Sequence, residues 1–184
     1  MSLKTFSRGG VHPPEYKLSA GNAIQELPPP EIVVIPVSQH LGAPSKVIVE
    51  RGDQVKVGQL IAQSEGFVST NIHSSVSGKV LKVDKFMDSS GYRKMAIQIQ
   101  VEGDLWIDTI DRSDDLVKHT VLTSEDIRRK ILEAGIVGLG GATFPTHVKL
   151  MVPGGKKAEY LIINGVECEP YLTADHALMM ERSE

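Results

Sequence analysis

The 184-residue chain has one cysteine, Cys168. That excludes an intrachain disulfide framework and a self-contained cysteine-based zinc or iron–sulfur site. A reducing, cytoplasmic compartment is the default for such a chain. No apolar run approaches the roughly 20 residues of a membrane span. The opening "MSLKTFSRGG" lacks the apolar core of a signal peptide. No excess of one charge is present either: the net charge is −3, with both signs interspersed. This argues against a nucleic-acid binder and against a basic helix lying on a membrane. What remains is a chain that is soluble, or held at a membrane through other subunits. Its 41% hydrophobic content suffices for one substantial core or two small domains.

Residues 1–30 are rich in Gly and Pro. "GGVHPPEYK" and "LPPPE" cannot form regular helix, so an extended arm packed on the body is expected, with His12 as a turn or buried histidine. From Glu31 onward the pattern is β: "EIVVIPV", "SKVIVE", "QLIAQ", "GKVLKV" and "MAIQIQV" are short apolar or alternating runs. Turn-like "RGDQ", "SVSG" and "DSSG" separate some of them. Closely spaced short strands point to a small sandwich or barrel. The acidic "DTIDRSDD" reads as a solvated linker. "TSEDIRRKILEAG" reads as a helix, with Thr123 and Asp126 forming a capping box and Gly135 stopping it. "AEYLIING" reads as a buried strand, and "VECEPYLTADHALMM" as a polar loop running into a helix.

Within the β region, "VERGDQVKVGQLIAQSEGFVSTNIHSSVSGKV" resembles lipoyl and biotinyl domains. The resemblance covers Val49–Val83 and implies a barrel-sandwich hybrid fold. Those carriers attach their cofactor to a lysine on the hairpin tip. No lysine occurs between Lys56 and Lys79, and "EGFVS" (Glu65–Ser69) stands at the tip. The fold is expected and the carrier chemistry is not. Without a further ligand at usable spacing, His40 and His73 read as structural.

"GIVGLGGATFPTHVKL" (Gly135–Leu150) crowds Gly135, Gly138, Gly140 and Gly141 into seven residues. It is not a dinucleotide fingerprint, because Thr143 occupies the third glycine position and a helix precedes it. No P-loop pattern occurs. Taken alone it reads as a structural turn. Lys149 taken alone reads as a solvated lysine, Phe144 as core or ligand contact in about equal measure, Glu167 as a loop carboxylate, and Cys168 as a small, partly buried side chain.

The longer string, followed by "YLIINGVECEPYLTADHALM", closely resembles the RnfC component of the Rnf electron-transport complex. "GGVHPP" and "QHLGAP" (Gln39–Pro44) share that resemblance. It implies that the chain is the N-terminal part of such a protein. The remainder of the flavin domain, and an iron–sulfur region with repeated Cys-x-x-Cys spacing, would follow. A more distant resemblance is to the FMN- and NADH-binding subunit of respiratory complex I. Gly138, Gly140, Gly141, Ala142, Phe144, Pro145, Thr146 and Lys149 match one of its motifs. Asn164, Glu167, Glu169, Pro170 and Asp175 match a second. The resemblance implies that the glycine loop lies against FMN, that Lys149 and Asn164 help hold it, and that the acidic loop lies by flavin and nicotinamide. Leu139, Thr143, His147 and Val166 depart from the complex I pattern.

The residue types suit this chemistry. Close-packed glycines let backbone N–H groups approach an anion or a ring edge. Lysine supplies a point charge to a phosphate, phenylalanine packs on a ring system, and asparagine offers both donor and acceptor.

The expected fold class is thus α+β and multidomain: a barrel-sandwich hybrid β domain, then the truncated start of a Rossmann-like α/β flavin-binding domain. The expected organisation is an arm at 1–30, the β domain at 31–103, a linker at 104–122 and the flavin portion at 123–184. The candidate cofactor-binding residues are Gly138, Gly140, Gly141, Phe144, Lys149 and Asn164. Glu167 and Glu169 are the candidate catalytic residues, and no metal site is expected. The implied cofactors are FMN and NADH, with iron–sulfur clusters confined to the region beyond this chain. The implied partners are other subunits of a membrane electron-transport complex, placing the protein at the cytoplasmic face of the inner membrane. The alternative is a non-catalytic scaffold that docks through its β domain; a related sodium-pumping quinone reductase has a subunit of similar layout without this flavin role.

Overall fold

The computed structural model describes residues 13–88, 90–113 and 119–182. "GGVH", including His12, lies outside them. The chain divides into two bodies: Leu27–Ala158, and the arm through Glu26 together with the stretch from Glu159 onward.

The first body is a β barrel-sandwich followed by a short helical segment. One sheet has the order β1-β7-β6-β3, from Ile32–Pro36, Arg93–Val101, Gly78–Met87 and Gln54–Val55. The other has the order β2-β4-β5, from Lys46–Val47, Leu60–Gln63 and Ile72–His73. All strand pairs are antiparallel. The alternation in "MAIQIQV" sends Ile97 and Ile99 inward, where both are fully buried. They meet Ile61, Ala62, Ile72, Val80, Ile35 and Val55 in one core. At about 1.5–3 kcal/mol for each large side chain buried, this core dominates the stability of the body.

The serine-rich connections are part of that core. Buried Ser45, Ser69, Ser74 and Ser77 each donate to a backbone carbonyl: Thr70 (2.7 Å), Ala43 (3.0 Å), Val76 (2.7 Å) and Glu102 (2.7 Å). Short strands leave many peptide groups unpaired, and these hydroxyls satisfy them without water. Buried His40 joins the same network through Ser45 Oγ (3.1 Å). β3 and β5, two residues each, lack the run length that marks a strand in sequence.

Two segments differ from expectation. The stretch expected as a solvated linker begins as part of the barrel. Val57 donates to Leu105 O and Ile107 donates to Val57 O, forming a parallel bridge at Trp106, and Ile107 and Ile110 crowd Gly58. Its isolated apolar residues, masked by neighbouring acids, are what the barrel takes up. "AEYLIING" is not a buried strand: Tyr160, Leu161, Ile162 and Ile163 are 75–88% exposed and no strand is assigned there. A strand needs a hydrogen-bonded neighbour, and none is present among the described residues.

The helix expected from "TSEDIRRKILEAG" is α1, Ser124–Glu133, with the full capping box between Thr123 and Asp126. A second helix, α2, covers Thr146–Lys149.

In the second body, residues of the arm are fastened to 171–182. The Tyr16 and Tyr171 rings stack at 5.6 Å. Lys17 donates to Leu172 O (2.6 Å), Ser19 bonds Thr173 (2.7 Å), and Glu181 accepts from the Ile24 N–H. Helix α3, Ala174–Glu181, carries the last of these contacts and follows the others directly. None of this body's described residues is buried, so surface contacts, polar and aromatic, rather than a core hold it.

Candidate functional site

The glycine segment starts where α1 ends. Gly135 has φ +72° and follows the cap residue Ala134. Its N–H reaches Leu132 O (3.1 Å), and the Ile136 N–H reaches Ile131 O (3.1 Å). This is a Schellman stop, which only glycine enters without strain. The barrel completes the cap. Thr70 Oγ1 donates to Leu132 O (3.4 Å) and Asn71 Nδ2 donates to Glu133 O (3.2 Å). Gly135 itself lies so close to the Asn71 carbonyl that a Cβ would overlap it. The helix terminus is therefore seated directly on the barrel strand edge.

Beyond this seat the chain folds back on itself. Thr146 donates to Ile136 O, Gly138 donates to Phe144 O (both 3.1 Å), and Val137 bridges Pro145. The result is a closed loop whose tip runs from Leu139 to Thr143. Gly140 and Gly141 at the tip are exposed, and Cβ atoms built on them would meet nothing within 4 Å. At the loop base, the Lys149 ammonium folds over Gly138, and a Cβ there would collide with it. Phe144 is half-buried and Pro145 is buried. Thr143 is held at φ +50°; a β-branched residue there stores strain, a feature that clusters at ligand loops.

The barrel's hairpin tip supports this loop from a second side. Leu41 donates to Thr143 O (3.3 Å), Ala43 donates to Val68 O (3.0 Å), and the His147 ring lies close to the Phe67 backbone. The tip that bears lysine in a carrier is here a seat for α2. His147 is pushed below its ordinary pKa by burial, with its Nδ1 buried and lacking a hydrogen-bond partner. Burial pushes His73 down likewise; it lines a cleft of about 110 Å³ with His40, Asn71 and Gly135.

The remaining candidates lie in the second body. Asn164 Oδ1 accepts from the Val166 N–H (3.0 Å), closing a local turn. Glu167 Oε1 accepts from the His176 N–H (3.1 Å), in the first turn of α3. Thr173, the formal cap, makes no such bond, so Glu167 does the capping and complements the helix dipole there. Glu169 is exposed, and so is Cys168, which was expected to be partly buried. Sequence reading singled out neither Thr70 nor Asn71. Each is an ordinary polar residue in a strand-rich stretch, and only the tertiary contact gives it a role.

A barrel-sandwich domain with no lysine at its hairpin tip, seating a glycine loop there, defines a class: a β module serving as the foundation of a loop. The chain belongs to the RnfC family, since residues 4–104 match the RnfC barrel sandwich hybrid domain. Residues 131–184 match the Nuo51 FMN-binding domain. The chain is 48% identical to the RnfC-type subunit of the Na(+)-translocating ferredoxin:NAD(+) oxidoreductase complex of Acetobacterium woodii, over 96% of this chain and 40% of that protein. It is 48% identical to the corresponding subunit of the proton-translocating ferredoxin:NAD(+) oxidoreductase complex of Clostridium ljungdahlii, over 99% of this chain and 39% of that one. It is 43% identical to the corresponding subunit of the ion-translocating oxidoreductase complex of Rhodobacter capsulatus, over 99% and 35%. The chain thus spans about two fifths of the length of the first two relatives.

The loop fits FMN. Its tip is glycine-rich and exposed, its base carries an ammonium, and an aromatic ring lies where the loop returns. Among the described residues, no helix is long and apolar enough to cross a membrane.

Proposed function

We propose that this chain supplies the FMN-holding loop of a subunit of an ion-translocating ferredoxin:NAD(+) oxidoreductase complex. The observation that carries the reading is the glycine loop with Lys149 tucked over Gly138, within the stretch matching an FMN-binding domain. Bound there, FMN would supply hydride and single-electron redox chemistry. The residues here bind and orient it. Backbone N–H groups at the loop tip approach the flavin, and Lys149 provides the point charge for its phosphate. Phe144 packs beside the ring system. Asn164 offers a donor and an acceptor, and Glu167 and Glu169 accept hydrogen bonds from ribose or amide groups of the nicotinamide nucleotide. The stretch that begins with α1 is the start of a Rossmann-like α/β unit. In the whole protein, iron–sulfur clusters and other subunits at the cytoplasmic face of the membrane would take up the electrons.

Titration of FMN with flavin fluorescence tests this. The full-length protein is expected to bind FMN stoichiometrically, and this 184-residue chain weakly and without NADH dehydrogenase activity. A full-length protein indifferent to FMN would overturn the reading.

A further inference from the structure

Among the described residues, β7 has no outer neighbour before Met95, whose carbonyl takes the Val37 N–H, and β6 has none after Val80. Residues 82–88 and 90–94 therefore form a two-stranded ribbon. A two-stranded ribbon is marginal in water, and this one is braced at its turn. Asp88 Oδ1 accepts from the Ser90 N–H, the Ser90 hydroxyl and the Tyr92 N–H, while Lys94 bonds its other oxygen at 2.7 Å. Lys94 and Ser90 hold the Asp88 carboxyl well below the usual carboxylate range.

The register separates two faces. Lys82, Asp84, Phe86 and Lys94 share one, and they satisfy each other: Lys82 pairs with Asp84 (2.7 Å) and lies 5.8 Å from the Phe86 ring. Lys85, Met87, Arg93 and Met95 share the other. There Met87 is 67% exposed and Met95 39%, with Tyr92 at 71% beside the turn. Among the described residues Lys85 makes no ion pair, and Arg93 is felt only through the field at Asp84. Charges alone would guard a free ribbon against edge pairing. That role does not call for two exposed methionines between the cations. An apolar strip flanked by cations is the composition of an interface.

We propose that this face of the β6–β7 ribbon is a docking surface for an acidic face of another subunit of the same assembly, carboxylates meeting Lys85 and Arg93 around a patch that takes Met87 and Met95. The proposal rests on the reading of this chain as part of an assembly of several subunits. The cations fix the partner's sign, and membership of an assembly makes it a protein.

The test uses full-length protein in the assembled complex, purified through a tag on a different subunit. Lys85→Glu with Arg93→Glu is expected to weaken retention about tenfold, with release at lower salt, because reversed charges oppose the partner's. Lys46→Glu, on the other sheet, should leave retention unchanged. Met87→Ser, which keeps the charges, should also weaken it. A carbodiimide crosslink from Lys85 to a carboxylate of another subunit is expected. A double variant retained like wild type, or the absence of that crosslink, overturns the proposal. So does loss of binding to anionic vesicles with assembly intact, which would assign the ribbon to lipid. Wild-type protein that fails to copurify would instead overturn the reading of the chain as a subunit, on which the proposal stands.

Discussion

Gly135→Ala tests whether the barrel truly seats the glycine loop. Two costs add. An alanine at φ +72° costs about 1–2 kcal/mol in left-handed strain. The new Cβ also overlaps the Asn71 carbonyl, a backbone group that cannot swing aside. Relief requires α1 to back away from the barrel, stretching the bonds from Thr70 (3.4 Å) and Asn71 (3.2 Å) to its last carbonyls. Both are long, so about 0.5–1 kcal/mol each is appropriate. The expected total is roughly 2–4 kcal/mol, concentrated in α1 and the loop rather than in the barrel core. Amide hydrogen exchange resolves this: α1 amides should lose protection by that amount while Ile61, Ile97 and Ile99 keep theirs. Gly141→Ala is the control, with nothing within 4 Å of its Cβ and no positive φ. Its effect should stay within about 0.5 kcal/mol. If Gly135→Ala changes α1 protection no more than Gly141→Ala does, the seat is not structural.

Gly138→Ala should leave the fold intact, because the group displaced is the far end of a flexible lysine. FMN affinity of the full-length protein should fall, and an unchanged dissociation constant would remove Lys149 from the phosphate site. Thr123→Ala removes the capping box and should cost α1 about 1 kcal/mol in exchange protection; no loss would show the cap to be idle. Thr123 also holds the Asp126 carboxyl below its ordinary value, so this capping contribution is present at neutral pH and is lost as pH falls through that lowered value. His147 and His73 are pushed below their ordinary value of 6.5. Their neutral forms suit the fold, so seating of the loop should be full above that value and weaken as pH falls towards the lowered ones. His147→Gln should flatten the dependence of α2 exchange across the mildly acidic range, and a flat wild-type profile would contradict the burial of the ring.

Local chemistry made much of this molecule legible in sequence. The α1 boundaries follow from Thr123, Asp126 and Gly135, because capping and left-handed stops are decided within a few residues. The long strands of the barrel follow from alternation in "MAIQIQV" and "GKVLKV". The missing lysine at the hairpin tip was equally plain. The two-residue strands β3 and β5 left no such trace, since they exist through their neighbours' hydrogen bonds. "AEYLIING" has strand composition, yet composition cannot supply a partner. The glycines announced a tight path. Their support did not show, because Asn71, Thr70, Phe67 and His147 acquire roles only when residues some 60 to 80 positions apart are packed together. Sequence alone thus determined which segments can turn, cap and expose backbone, since those properties belong to single residues and short spacings. Only the tertiary structure decided that the barrel's tip would be the foundation of the loop, since that depends on close packing between surfaces distant in the chain.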